Sequence, residues 1–161
     1  MSSGLSEVLS YQNDELVHRF AEDFKLSFSD AQEIFLETKR WLWLCARQRD
    51  AIQKKQPVPA FIPLLSEAYV IDLMWHTFLL FTKDYAEFCD RYFGFFIHHT
   101  PQTRAERESW QLKAEADPAA AMQERRKSLR QVYEYIHDEL GADVLVRWFE
   151  TYPERFKSIG G

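Results

Sequence analysis

The stretch from Ala68 to Phe81, AYVIDLMWHTFLLF, constrains this chain more than any other part of it. At about 3.6 residues per turn it makes a helix that is apolar nearly all round, the pattern of a segment enclosed by other elements. An acid and a histidine interrupt the run. Asp72 and His76 stand at i and i+4, so their side chains lie one above the other on a single helical face. Burying an ionised carboxylate is costly unless it is paired. The pair therefore marks a site, expected to be buried, where packing alone would choose Leu.

The rest of the chain is also written in helical signals. Asn13 caps a first helix, with Asp14 and Glu15 in its first turn and Leu16, Val17, Phe20 and Phe24 as its stripe. Ser29-Asp30-Ala31-Gln32 opens a second helix, with Ile34, Phe35, Thr38, Trp41, Leu42 and Cys45 on the core face and Pro57 and Pro59 beyond its end. The apolar helix is expected from about Pro63 to Phe81. Thr82 then caps a fourth helix that buries Tyr85, Phe88, Cys89 and Tyr92 and closes on a left-handed Gly94. Phe95 to His99 is expected to be extended, because Pro101 disfavours helix before it. Asp117-Pro118 opens a long helix with the stripe Met122, Leu129, Val132, Tyr133, Ile136 and Leu140, closed by Gly141. A last helix carries Val144, Leu145, Trp148 and Phe149 and is expected to stop at Tyr152-Pro153. Residues 100–116 form the one long polar connection, expected as a mobile loop or partly helical lid. With no sustained period-two alternation, the expectation is a single all-α domain over residues 1–161: about six helices around the 64–81 segment.

Composition narrows the function classes. A hydrophobic fraction of 46%, with 16% aromatic residues, is ample for a packed core. A net charge of −5 supplies no field for nucleic acid. Two cysteines, Cys45 and Cys89, are too few for a disulfide framework and sit in apolar helical patterns. The N-terminus lacks the basic and apolar regions of a signal peptide. Leu64 to Phe81 is about as long as a membrane span but contains Glu67, Asp72 and His76, which argues against insertion. The cytoplasm is the expected compartment, with no membrane partner.

Asp72, His76, Cys89 and His98 form a candidate ligand set for zinc or iron, since carboxylate, imidazole and thiolate all serve these metals. In an extended segment only one of His98 and His99 can face the Asp72–His76 pair. His98 is expected there because it shares a face with Phe96. The plainer alternative is a hydrogen-bonded polar network, with Cys89 as ordinary core. A nucleophilic Cys89 is disfavoured by Asp84, Glu87 and Asp90 around it, so no catalytic residue is assigned. Arg125, Arg126, Lys127 and Arg130, with Arg104 and Arg107 in the polar connection, make either a solvated face or a docking strip for an acidic partner or phosphate.

Read together, Asp72-Leu73-Met74-Trp75-His76, Tyr85, Cys89, Gly94 and His98 resemble the core motif of the glycine-rich-domain-containing protein-like family. That family often has a second histidine two positions after the first, where this chain has Phe78, and a proline before the tyrosine, where this chain has Lys83 or Asp84. The chain also has five glycines in all and no glycine-rich tail. The resemblance implies a site built from Asp72, Trp75, His76, Tyr85, Cys89 and His98, and it implies no defined reaction. The expected function is a small binding or regulatory module acting through a protein partner, with a metal-binding protein or metal-dependent enzyme as the alternative.

Overall fold

The computed structural model describes residues 3–159. Among them every regular element is helical. In chain order these are α1 (Leu5–Leu9), α2 (Asp14–Phe24), α3 (Phe28–Gln53), a 3₁₀ turn (Ser66–Ala68) leading into α4 (Tyr69–Leu80), α5 (Thr82–Phe93), α6 (Arg104–Ala116) and α7 (Pro118–Leu140). Then α8 (Ala142–Val146) runs through a π-helical turn (Arg147–Thr151) into α9 (Tyr152–Arg155). The wider turn carries the helix past Pro153, so the chain does not stop at Tyr152-Pro153 as expected; Tyr152 and Phe156 are buried beyond it.

The spine of the bundle is α3, which packs against α1, α2, α4 and α7. The apolar α4 lies along it and is shorter than the sequence suggests. Residues Pro63 to Leu65 remain non-helical, and the 3₁₀ turn precedes Tyr69. Ser27 caps α3 through Asp30 N at 3.0 Å, two residues before the serine expected there. Asn13 caps α2 and Asp117 caps α7 as expected.

Two polar devices fasten distant segments to α3. Lys39, 4% exposed, donates to the carbonyls of Leu9 and Tyr11 at 2.8 and 2.6 Å, tying the α1–α2 turn to the spine. Glu37, 1% exposed, accepts from Trp148 Nε1 at 2.7 Å, Arg147 Nη1 at 2.9 Å and Arg40 Nε at 3.2 Å. A carboxylate so held is compensated on both oxygens, which is what permits its burial.

Of the two forms expected for residues 100–116, the structure takes the partly helical one: Thr103 and Glu106 form a reciprocal capping box, and thirteen residues of helix follow. This helix, α6, pairs with α7 and contributes no buried residue.

Candidate metal centre

Helix α4 turns Val70, Ile71, Met74 and Phe78 into the core, each fully enclosed. The row Asp72, His76, Leu80, spaced by four residues, is the one left outward. The Asp72 side chain is 35% exposed and that of His76 53%, so the pair lies at the rim of the bundle and not in its interior as expected. The segment is apolar enough to be enclosed all round, yet the bundle covers it on fewer sides. His76 Nδ1 lies 3.5 Å from Asp72 Oδ2.

The third member arrives from the segment after α5. Gly94, at φ +76°, ends that helix in the left-handed conformation that glycine adopts without strain and sends the chain back across α4. Successive side chains then alternate. Ile97 and His99 face inward, while Phe96 and His98 face out, their rings 4.8 Å apart. His99 Nε2 reaches Asp72 Oδ1 at 2.7 Å, and its ring lies tilted against Trp75 and His76, 4.4 Å from each, centre to centre. His98 therefore stands outside the cluster, and His99 takes the position expected for it. The alternation was sound; its anchor was not. Phe96 is 40% exposed whereas Ile97 is 8% exposed, and the β-branched residue is the one that sets the inward face.

The remaining motif residues frame this cluster. Trp75 Nε1 donates to Tyr85 Oη at 3.0 Å, and Tyr85 Oη donates to the Ile97 carbonyl at 2.6 Å. This two-step relay fixes the backbone two residues before His99. Burial pushes the Tyr85 hydroxyl well above its ordinary range and so keeps it a donor. Cys89 is fully enclosed beside Tyr85 and the Ile97 backbone, and burial raises its thiol pKa. A protonated, enclosed thiol is a packing group here and lies outside the cluster. The ligand-capable atoms that fall within 4.8 Å of one another, among the described residues, belong to Asp72, His76 and His99.

A family model described as UCP032817-like matches residues 11–139, which takes in the whole cluster and its frame. The chain belongs to the UCP032817-like family. No curated protein and no solved structure matches it.

The basic residues singled out from the sequence lie on α6 and α7, apart from this cluster. Arg104 pairs with Glu108 at 2.6 Å, Arg107 Nη1 donates to the Gln102 carbonyl at 2.9 Å, and the Arg125 guanidinium sits 5.7 Å from the Trp110 ring centroid. Arg126 and Arg130 are exposed. Among the described residues no helix is long and apolar enough to cross a membrane.

Proposed function

We propose that this chain is a metal-binding protein in which Asp72, His76 and His99 hold one divalent transition-metal ion, zinc or iron. The observation that carries the reading is the meeting of one carboxylate and two imidazoles, all with ligand atoms within 4.8 Å, at a solvent-facing rim. Bonds of about 2.0–2.2 Å set neighbouring donors roughly 3–3.5 Å apart, so small side-chain adjustments bring these three onto one ion. Two histidines and one carboxylate are the donor set of the mononuclear iron facial triad and of several catalytic zinc sites. With His76 half-exposed, an ion held here would be open to solvent and would supply a Lewis acid able to polarise a water or a substrate oxygen. The resemblance noted in the sequence enters the same proposal: Trp75, Tyr85, Cys89 and Gly94 are the frame that orients the ligands.

Elemental analysis of protein purified without added metal or chelator tests this. The expectation is close to one equivalent of zinc or iron, lost in His99→Ala and in Asp72→Ala and kept in His98→Ala. Folded protein that carries less than about a tenth of an equivalent, and that also fails to take up added zinc or cobalt, overturns the proposal; Asp72 is then simply hydrogen-bonded to His99 beside His76.

A second reading, action through a protein partner, is favoured by a separate observation, the groove between α6 and α7.

A further inference from the structure

A cavity of about 810 Å³ opens between the non-helical residues 59–65, α6 and α7. Its apolar surface includes two aromatic rings left largely to solvent, Phe61 at 72% exposure and Trp110 at 47%. Its charges are Arg107, Lys113 and Arg125 against a single acid, Glu124. That balance is opposite in sign to the chain as a whole, which carries −5. Neither Lys113 nor Arg125 is drawn into an ion pair among the described residues. Arg125 is instead held over the Trp110 ring, which keeps a cation and an aromatic face side by side. One wall of the groove, α6, is a well-capped helix of 13 residues that buries none of them. A helix kept in shape by local hydrogen bonds, with its aromatic residue exposed beside unpaired cations, has the anatomy of an interface: an aromatic anchor within a charged rim.

We infer that this groove receives an acidic, amphipathic peptide segment of a partner protein, its apolar side chains seated on Phe61 and Trp110 and its carboxylates on Arg107, Lys113 and Arg125. Charge complementarity selects the sign of the partner, and the paired aromatic rings require it to bring apolar side chains as well. Single-stranded nucleic acid would also meet cations and rings. Glu124 inside the groove and the negative charge of the chain oppose it.

The groove shares no residue with the metal centre, so each stands or falls alone. The test uses the full chain and three synthetic peptides of about 15 residues: Glu with Leu and Phe at helical spacing, the same with Lys for Glu, and the same Glu positions with Ser for Leu and Phe. The indole N–H resonance of Trp110, assigned by Trp110→Phe, reports binding. The acidic amphipathic peptide is expected to shift it with a Kd below about 1 mM, and the other two to leave it in place. Arg107→Glu with Arg125→Glu should weaken binding at least about tenfold. Both arginines are exposed, so circular dichroism should be unchanged, and the Arg107→Gln, Arg125→Gln pair serves if the reversal unfolds the chain. The proposal is overturned if either control peptide binds equally, if charge reversal changes nothing, or if no peptide binds at millimolar concentration. Tight binding of oligo-dT assigns the groove to nucleic acid, and a concentration-dependent dimer that charge reversal dissolves assigns it to a second copy; either result also overturns it.

Discussion

Helices α4 and α6 are alike in length and regularity and opposite in cause. Phe78 of α4 is fully enclosed and lies 5.0–6.0 Å, ring centre to ring centre, from Tyr11, Phe35, Tyr85 and Phe88. Its helix has no side-chain cap and takes its stability from what surrounds it. Helix α6 buries nothing and instead closes its own ends and rungs. Its devices are the Thr103–Glu106 capping box, Arg104 to Glu108 at 2.6 Å and Gln111 to Glu115 at 3.1 Å. One helix is made by the fold and the other largely by its own sequence. The contrast suits what each is proposed to carry. A metal centre needs ligands held by a rigid frame, whereas a docking groove gains from a wall that can adjust.

The contrast is broken most readily at Phe78. Phe78→Ala should cost about 3–5 kcal/mol in urea unfolding; a loss under about 1 kcal/mol would mean that enclosure is not what holds α4. Next in size comes Glu37→Ala, which strands the buried Trp148 N–H and frees Arg147. Removing one member of so enclosed a group should cost roughly 3 kcal/mol, and a neutral result would show that the α8–α9 segment is fastened by its apolar residues alone. A smaller effect sharpens the picture of the core's polar fastenings through pH. Burial, aided by the neighbouring Arg40, lowers the pKa of Lys39 to about 8. Between about pH 8 and the ordinary lysine value near 10.5, the unfolded chain keeps a proton that the folded one has shed. Lys39 therefore contributes stability that grows with pH across that window, by on the order of 2 kcal/mol from pH 8 to 10, against the buried thiols and tyrosines, whose raised pKa values lower stability over the same range. Below about 8 both states are charged and the slope vanishes. Lys39→Met should therefore lose stability more steeply than the parent between pH 8 and 10, and equal slopes in the two proteins would show that the two carbonyl acceptors offset the desolvation of Lys39. The smallest global effect belongs to α6: Thr103→Ala should speed amide exchange within that helix by the equivalent of about 1 kcal/mol and leave the urea midpoint nearly unmoved. A matching loss in global unfolding would tie α6 to the core after all.

Elements made by enclosure announced themselves in the sequence. The stripes Leu16, Val17, Phe20 and Tyr85, Phe88, Cys89, Tyr92 are buried as the 3.6-residue period requires, and Gly94 is left-handed. Stripes fail where a helix leans on little: Met122 heads the expected α7 series yet is 53% exposed, and its neighbour Ala121 is the buried residue at that end. For the same reason the sequence of α6 reads as a polar connection, helical at most in part; with no buried face it has no apolar period, and Thr103 and Glu106, a capping box, are its clearest signal. At the site, Asp72 and His76 were legible as a helical pair. Their exposure was not, since it depends on how many neighbours a nearly uniform apolar surface receives. His99 was hidden by parity. A shift of one residue moves every side chain to the other face, and in FFIHH either Phe96 or Ile97 could have set the register.

The grip of Glu37 has a consequence for how the molecule comes into being. Its carboxylate lies on α3, early in the chain, and two of its three donors belong to residues more than a hundred positions later. During synthesis α3 emerges well before Arg147 and Trp148 exist to receive that charge. Until they do, the spine must leave Glu37 in water and its apolar neighbours uncovered. Most of the cost of an early stop or a slow finish would thus be borne by a nascent chain that already has its spine and cannot yet close over it.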